Sequence, residues 1–271
     1  MYNIDMNVLA VIDTLTTMND LKGGNNCPVA FLVDVFEEEC FFDGRGNPKT
    51  KEIFMVPDEP VLGNGRALHG IVDGGDSETD HTFLSLEDGL KKTHEILSAF
   101  AKNGICVAGY GIESFDLKTL NENFTRVLGE PPVIFERKHL IDVERLSKLL
   151  VDVRKCGNYS QSSVLATVNY STFESLRGIV PYRKSISETE ALLRELTNNF
   201  QVGKSLEEIS NFLSVPHDVE VFQSGKYKGM KIEDVYNIDR QYFTWILKNK
   251  QFYENDKDML DKVKTLVNRE E

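Results

Sequence analysis

The stretch Val11-Ile12-Asp13-Thr14-Leu15-Thr16-Thr17 decides how this chain is interpreted. It closes a continuous apolar run that begins at Val8 and predicts a buried strand. Side chains at positions i and i+2 of a strand face the same side, so Asp13 and Leu15 should be neighbours. Two carboxylates at these positions would give Mg²⁺ a pair of the hard oxygen ligands that it prefers. A leucine cannot bind a metal, so Leu15 gives Asp13 no such partner.

The composition is that of an ordinary globular protein, with 271 residues, 41% hydrophobic and 27% charged. No apolar run approaches the roughly 18 residues that span a membrane, and the N-terminus lacks the pattern of a signal peptide. We therefore expect a cytoplasmic protein without membrane contact. The four cysteines lie far apart with no C-x-x-C pair, which predicts reduced thiols rather than a zinc site.

Charge is distributed unevenly along the chain. The net charge is −12, which opposes non-specific binding to nucleic acid. Residues 222–250 nevertheless carry six lysines and arginines against three acids, a net charge of +3, whereas residues 1–221 carry −13 and residues 251–271 carry −2. The two parts of the chain thus present opposite charges.

The order of the predicted elements indicates an α/β fold. Buried apolar runs predict strands at residues 8–12, 29–36, 53–56, 105–108, 133–135 and 139–141. Apolar residues at helical spacing predict helices at residues 86–102, 116–127, 143–153 and 187–200. Three strands followed by alternating helices and strands predict a mixed sheet flanked by helices.

We divide the chain into three parts. Residues 1–200 form the α/β domain, residues 201–218 a helix and linker, and residues 219–271 a small α+β module that ends in a charged tail helix. Ser205 and Glu208 have the spacing of a capping box at the start of the linker helix.

The small module carries a basic loop between two glycines. Gly225 and Gly229 allow a tight turn that presents Lys226, Tyr227 and Lys228. Two lysines around a tyrosine are suited to binding phosphates and stacking a base. In the alternative interpretation the lysines are only solvated, and aromatic residues form a small core: Phe222, Tyr242 and Trp245.

Three stretches of the first 200 residues resemble the DnaQ-like (DEDD) 3′–5′ exonuclease family, which has a ribonuclease-H-like fold. Residues 11–17 resemble its I-D-T-E-T-T strand, and residues 67–71 (A-L-H-G-I) resemble its I-H-G-I segment. Residues 107–116 (V-A-G-Y-G-I-E-S-F-D) resemble its G-Y-N-I-x-x-F-D motif. The resemblance implies a ribonuclease-H-like mixed sheet and a nucleic-acid site that includes His69.

Residues 222–246 resemble a different sequence, the small C-terminal domain of exodeoxyribonuclease X and related phage and bacterial proteins. The shared pattern is F-x-x-G-K-Y-K-G-x-x-I-x-x-V-x-x-x-D-x-x-Y-x-x-W-I.

The exonuclease resemblance implies a site that has lost several of its residues. Hydrolysis in this family needs two metal ions held by carboxylates and a residue that activates water. Asp13 and Asp116 match the first and third carboxylates, Leu15 replaces the second, and Gly111 stands where the motif has asparagine.

The fourth carboxylate and the base should form the pattern H-x-x-x-x-D, and no histidine here has an aspartate five residues later. The best positional match puts Arg183 at the histidine position and Glu188 at the aspartate position. Arginine stays protonated and cannot act as a base. Asp13 and Asp116 are then either a remnant Mg²⁺ or Mn²⁺ site, or caps of a turn and a helix.

These losses favour an exonuclease-like protein with an impaired or lost site, which acts by binding single-stranded DNA or RNA, a protein partner, or both. One alternative is an active Mg²⁺- or Mn²⁺-dependent exonuclease with a rearranged site that uses Glu188 and a carboxylate such as Glu113. The other is a protein-interaction subunit that makes contact through its acidic first domain.

Overall fold

The computed structural model describes residues 8–17, 26–44, 46–71, 81–253 and 256–268. Within these ranges the strands are β1 (Val8–Thr16), β2 (Pro28–Glu37), β3 (Lys49–Val56), β4 (Phe83–Ser85), β5 (Cys106–Gly109) and β6 (Leu140–Asp142). They form one sheet in the order β4-β3-β2-β1-β5-β6. The first three strands pair antiparallel, β5 and β6 run parallel to β1, and β4 runs parallel to β3. The predicted mixed sheet is confirmed.

Helices cover both faces of this sheet and make up the C-terminal part. They are α1 (Glu38–Phe42), α2 (Gly63–His69), α3 (Leu86–Asn103), α4 (Asp116–Asn123), α5 (Val143–Leu150), α6 (Val153–Cys156), α7 (Gln161–Val168), α8 (Tyr170–Ser175), α9 (Pro181–Asn199), α10 (Leu206–Ser214), α11 (Ile232–Ile238), α12 (Arg240–Lys248) and α13 (Lys257–Asn268). None of the helices in the described ranges is both long and apolar enough to cross a membrane.

Strand β1 contributes to two hydrophobic cores because its side chains alternate between the faces of the sheet. Leu9, Val11 and Leu15 pack with residues of α5, α7 and α9. Ala10 and Ile12 pack on the opposite face with residues of α3 and α4. Asp13 lies on the same side of β1 as Leu9, Val11 and Leu15 and therefore faces α9. The carboxyl ends of the parallel strands β1 and β5 lie at one edge of the sheet, where α/β folds commonly bind ligands.

The predicted strand at residues 133–135 is wrong. Val133 and Phe135 are buried, as a strand would place them, but their backbone is irregular. The Asn121 amide donates to the Val133 carbonyl at 3.1 Å and accepts from its N–H at 2.8 Å. This side chain satisfies the backbone groups that a neighbouring strand would otherwise pair.

Helix α9 begins at Pro181, six residues before the predicted start at Ser187. Proline is favoured in the first turn of a helix because its missing N–H is not needed there. Arg183 and Lys184 are therefore helical rather than part of a preceding loop. Glu188 lies one turn after Lys184 on the same face of the helix.

Helix α10, predicted as part of a linker, packs on the α/β domain. Leu206, Ile209 and Leu213 belong to the same core as β1. The predicted cap is present, since the Ser205 hydroxyl accepts a hydrogen bond from the Glu208 N–H at 3.2 Å.

The C-terminal module has a hydrophobic core of its own, and its described residues are mainly helical. Its β structure is an antiparallel bridge between Val221 and Lys231, which is less than the predicted α+β arrangement. In the turn that carries the bridge, the Phe222 N–H donates a hydrogen bond to the Met230 carbonyl at 2.9 Å. The core residues are Val219, Phe222, Ile232, Val235, Tyr242, Phe243, Ile246, Tyr253, Met259, Leu260, Val263 and Leu266.

Ion pairs hold the module against α5. The Arg145 guanidinium donates to both carboxylate oxygens of Asp258, at 3.0 and 3.1 Å. The Lys148 ammonium lies 2.7 Å from Asp256 and 2.9 Å from Glu144. These groups are largely shielded from solvent, so the module has one defined position on the α/β domain.

Candidate functional site

A pocket of about 560 Å³ opens at the carboxyl end of β1. Five parts of the chain supply its walls: β1, α2, the segment between β5 and α4, the start of α7, and α9. Its lining residues are Asp13, Thr14, Leu15, Thr16, Ala67, Leu68, His69, Tyr110, Phe115, Asp116, Ser160, Gln161, Ser162, Pro181, Lys184, Ser185 and Glu188. The structure thus brings Asp13, Asp116 and Glu188 to one pocket.

Asp116 joins α4 to β1. Its carboxylate accepts a hydrogen bond from the Thr14 N–H at 2.8 Å, and the residue is 2% exposed. Helix α4 begins at Asp116 and has no side-chain cap at its start. The interpretation of Asp116 as a helix cap is therefore wrong.

Asp13 lies inside β1 and does not cap a turn, so that interpretation is also wrong. Its Oδ1 accepts a hydrogen bond from the Ser185 hydroxyl at 3.0 Å. Its Oδ2 is buried and has no hydrogen-bond partner within the described part of the chain. A buried, unpartnered carboxylate oxygen is costly and is a group that a cation or a ligand would satisfy.

The two aspartates favour protonation. Burial raises the pKa of Asp13 to about 6, although the Ser185 hydroxyl and the charge of Arg183 act in the opposite direction. Burial and then the negative charge of Asp13 raise the pKa of Asp116 well above its usual range. Two like charges in a poorly solvated site resist full ionisation, and a bound cation would reverse this preference.

Glu188 reaches the pocket from α9 and is 4% exposed. Its carboxylate accepts a hydrogen bond from the Ser162 hydroxyl at 2.7 Å and lies 3.8 Å from the Lys184 ammonium. Lys184 thereby places a positive charge at the wall of a pocket that contains three acidic residues.

Leu15 lines the same pocket as Asp13 but is mainly a core residue. It is 8% exposed and packs in the core shared by β1 and α9. Burying a leucine side chain stabilises a fold by about 1.5–3 kcal/mol, a contribution that a carboxylate at this position would not make.

The donor set does not fit a two-metal centre. Magnesium and manganese centres of this kind need several converging oxygen ligands. Leu15 removes one of them, and Glu188 is engaged by Ser162 and Lys184. Among the residues that the structure describes, no three histidine, cysteine, aspartate or glutamate side chains are grouped closely enough to hold a metal ion.

His69 is fixed by the backbone around it. Its Nδ1 accepts a hydrogen bond from the Ile71 N–H at 3.2 Å, so its Nε2 donates to the Thr16 carbonyl at 3.1 Å. Burial lowers the pKa of His69, although the contact with Thr16 acts in the opposite direction. His69 is thus a neutral part of the pocket wall that offers a ligand only ring contacts.

Gly111 does not line the pocket. It adopts a left-handed backbone with φ of 70°, and its N–H donates to the Asp142 carboxylate at 3.2 Å. A Cβ at this position would lie 3.0 Å from the Glu144 carboxylate. The glycine suits the turn after β5, and the asparagine that the resemblance implies has no equivalent here.

Arg183, which aligns with the family's histidine, also lies outside the pocket lining. Its guanidinium contacts the Asp34 carboxylate and lies 3.4 Å from Glu52. The adjacent residues of α9, Lys184 and Ser185, line the pocket instead.

The partner of Arg183 was missed by sequence reasoning. Asp34 is fully buried in β2, where it also accepts a hydrogen bond from the Thr50 hydroxyl at 2.6 Å. Burial alone would raise the pKa of Asp34, but hydrogen bonds from Glu190, Thr50 and Arg183 hold it below its usual value. Burial and the neighbouring Asp34 raise the pKa of Glu190 to about 9, so Glu190 is the protonated donor.

Glu113, named in the hypothesis of a rearranged site, is also elsewhere. Its carboxylate pairs with Arg137 and lies 3.7 Å from the Lys257 ammonium. It is therefore engaged at the contact with the module and does not line the pocket.

The basic loop of the module is partly engaged with the protein itself. The Lys226 ammonium lies 3.0 Å from the Asp239 carboxylate, to which the Tyr227 hydroxyl donates at 2.6 Å. The Lys226 ammonium also lies 4.6 Å from the centroid of the Tyr227 ring. Tyr227 is thus half-buried, with Lys226 over one face of its ring. Lys228 donates to the Gly157 carbonyl.

Trp245 was placed in the module core by the alternative interpretation, and this is wrong because it is 45% exposed. Phe222 and Tyr242 are buried in that core as expected. Trp245 follows Tyr242 by three residues on α12, but its indole lies at the rim of the helix face that Tyr242 presents to the core.

Solved structures of exonuclease I from E. coli share this fold. One is a complex with a 5cy-dA13 oligonucleotide, with a TM-score of 0.53 and 14% identity over 76% of this chain and 42% of that chain. Another is the zinc-bound form of its complex with single-stranded DNA, with a TM-score of 0.53 and 13% identity over 73% of this chain and 42% of that one. The match spans less than half the length of these enzymes. The predicted DnaQ-like exonuclease fold is confirmed.

Residues 222–251 match the family model described as exodeoxyribonuclease X-like C-terminal, which confirms the second resemblance. No curated protein matches the chain in sequence.

Proposed function

We propose that this protein binds the end of a single strand of DNA or RNA in the pocket at β1 and has lost most or all 3′–5′ exonuclease activity. The observation that carries the proposal is Leu15. It lines the pocket beside Asp13, at the position where a second carboxylate would complete a metal-binding pair.

The pocket retains groups suited to the end of a nucleic acid. Lys184 supplies a positive charge for a phosphate, and Ser160, Gln161 and Ser162 form a neutral polar wall whose side chains are hydrogen-bonded within the protein. Exonuclease I, whose fold the chain shares, has been solved with single-stranded DNA. A pocket of about 560 Å³ lies within the range of ligand sites, about 300–1,000 Å³.

Hydrolysis lacks two of its requirements in this pocket. No histidine or tyrosine that could activate water is aligned with the family's base, and the aligned Arg183 binds Asp34 instead. Loss of a general base alone reduces rates by about 10²–10⁴-fold. Mg²⁺ or Mn²⁺ would be held only by Asp13 and Asp116, with water in its other positions.

The test separates end binding from hydrolysis. A single strand of about 30 nucleotides with an internal label is titrated without divalent metal in linear and circular forms, and the linear form is then incubated with Mg²⁺ or Mn²⁺. We expect tighter binding of the linear form, weakened by Lys184→Ala, and no degradation above that of Asp13→Asn. Equal affinity for the two forms contradicts end binding. The matched control is Lys102→Ala, at the exposed end of α3.

An active enzyme with a variant site is the second candidate, favoured by the unpartnered Oδ2 of Asp13 and by Glu188 in the same pocket. Metal-dependent degradation that Asp13→Asn abolishes would establish it and overturn the loss of activity. No binding of either polymer would instead favour the protein-interaction alternative.

A further inference from the structure

We infer that the C-terminal module holds the same strand behind its end, with a base stacked on Trp245 and phosphates bound by Lys226 and Lys228. This inference rests on the proposed function for the class of ligand, single-stranded DNA or RNA. The residues involved lie on the basic turn and on α12. Trp245 remains 45% exposed, and the two lysines keep N–H donors that their described contacts do not use.

Trp245 is an unusual surface residue because tryptophan side chains are mostly buried in folded proteins. Its ring lies parallel to that of Tyr242, with an interplanar angle of 10° and 5.8 Å between centroids. Tyr242 therefore covers one face of the indole, while the residue remains 45% exposed. A rigidly held, exposed indole is a platform on which any base can stack, because every base has a π-face.

Charge near this platform has the sign that phosphate requires. The Lys226 ammonium lies 6.0 Å from the centroid of the Tyr242 ring on which Trp245 stacks, and its side chain is 61% exposed. An ammonium group has three N–H donors, so the contact with Asp239 leaves donors for a phosphate. The same holds for Lys228, which donates to the Gly157 carbonyl.

A short segment connects the basic turn to the pocket. Gly157, the contact of Lys228, follows α6, and the chain then leads to Ser160 and Ser162 in the pocket wall. Five residues span at most about 17 Å. The pocket end of this segment is fixed by Tyr110, which lines the pocket and donates its hydroxyl to the Tyr159 carbonyl. A strand that leaves the pocket along this wall would come close to Lys228.

The charge distribution supports different roles for the pocket and the basic turn in binding the strand. Residues 222–250 carry a net charge of +3, against −13 for residues 1–221. Neutralised phosphates dominate the affinity of most proteins for nucleic acid. We therefore expect the affinity for the length of the strand to come mainly from residues 222–250, the basic part of a module that is neutral as a whole, whereas the pocket is suited to recognise the end.

The test uses the intact chain, in which Trp245 is the only tryptophan and its fluorescence reports on this site alone. The probes are oligothymidylate and oligouridylate of about 12 nucleotides and an abasic strand with the same number of phosphates. Saturable quenching by the strands with bases, and little by the abasic strand, is expected. Binding of labelled strands without quenching of Trp245 would overturn the inference.

Variants give a second measurement. Trp245→Ala should weaken binding of the 12-nucleotide strands about 5- to 150-fold, the range found for loss of one stacked base. Tyr170→Ala removes an aromatic residue that is 60% exposed on α8 and should leave the affinity unchanged. Lys226→Ala with Lys228→Ala should reduce the slope of log affinity against log salt concentration, by about 0.7 for each phosphate that is no longer neutralised. Equal losses of affinity in the Trp245 and Tyr170 variants would overturn the inference.

Circular strands distinguish failure of this inference from failure of the proposed function. A circle has no end, so it should quench Trp245 as a linear strand does even though it cannot enter the pocket by its end. Quenching with equal affinity for circles and linear strands would overturn end binding and leave the module site standing. A preference for linear strands without quenching of Trp245 would overturn the module site and leave end binding standing.

Discussion

Asp13 determines the electrostatics of the pocket, because it combines a buried, unpartnered oxygen with a neighbouring buried acid. Its Oδ2 makes no hydrogen bond within the described ranges, and burial raises its pKa to about 6. The folded protein therefore binds a proton at the Asp13 carboxylate more tightly than the unfolded chain does. In the absence of a cation, this aspartate opposes folding at neutral pH, a cost typical of binding sites.

Asp13→Asn should make the protein more stable at neutral pH. Because the folded pKa is raised from 3.8 to about 6, the free energy of unfolding should fall as the pH rises from about 4 to above 6. The asparagine cannot ionise, so we expect a gain of about 1–3 kcal/mol at pH 8 and a flatter pH profile. Urea unfolding at several values between pH 4 and pH 8 measures the gain in stability and its dependence on pH. Glu122→Gln, an exposed change on α4, is the control, and an equal gain there would contradict the explanation.

Leu15→Glu should create a metal site where the natural residue excludes one. The new carboxylate would lie on the same face of β1 as Asp13, and we expect Mn²⁺ affinity in calorimetry to rise by more than about tenfold. Outer-shell partners of metal ligands alone are worth about 10–100-fold, and a direct ligand should exceed this. Leu15→Gln has nearly the same size without the charge. A similar Mn²⁺ affinity in both variants would show that position 15 does not face the metal.

Sequence patterns predicted β1, Asp13 and Asp116 because apolar runs and short motifs are local. The Lys184 and Ser185 positions were missed because α9 was taken to begin at Ser187, and Pro181 was the available signal. Asp34 also left a signal, as a lone acid in an apolar strand. Its partner Arg183 lies 149 residues further along the chain, and no local pattern predicts such a pairing.

Helix α9 is the element that connects the pocket to the interior of the domain. Within three turns it presents Lys184, Ser185 and Glu188 to the pocket, and Arg183 and Glu190 to the buried Asp34. The start of the helix has no side-chain cap. Its first turn is therefore held largely by the ion pair with β2, which also fixes the position of the pocket residues.

Arg183→Met should destabilise the protein strongly. It removes the cation beside a fully buried aspartate, and losing one partner of a buried pair typically costs about 3–5 kcal/mol. Arg177→Met is the matched control, because Arg177 pairs with Glu174 at the surface with its side chain 65% exposed. Exposed pairs contribute about 0–1 kcal/mol. Chemical denaturation should show the difference, and equal destabilisation would refute a special role for the buried pair.

At the scale of the whole molecule, buried charge joins the core of the C-terminal module to the α/β domain and its two cores. Asp258 is 8% exposed and accepts hydrogen bonds from Nε and Nη2 of Arg145. Burial alone would raise the pKa of Asp258, but Arg145 and the His217 N–H hold it below its usual range. The module is thus fixed to the α/β domain by directional contacts with few alternatives.

Asp258→Asn should uncouple the unfolding of the module from that of the α/β domain. In the natural protein, Trp245 fluorescence and far-ultraviolet circular dichroism should report one common thermal transition. The variant weakens a bidentate buried pair by about 3 kcal/mol, so the fluorescence transition should move to lower temperature than the dichroism transition. Asp261→Asn, which alters an exposed pair with Lys264, should keep the two transitions together. Coincident transitions in Asp258→Asn would show that other contacts couple the cores.

Arg145 also binds the segment that connects α10 to the module. Its guanidinium donates to the carbonyls of Leu213 and Val215 as well as to Asp258, and Asp258 accepts the His217 N–H at 2.9 Å. The peptide bonds of this connection are thus not what keeps the two parts together. A chain severed between Val215 and His217, or produced as two separate polypeptides, should reassemble through the contacts that cross the cut, the pair of Arg145 with Asp258 and that of Lys148 with Asp256.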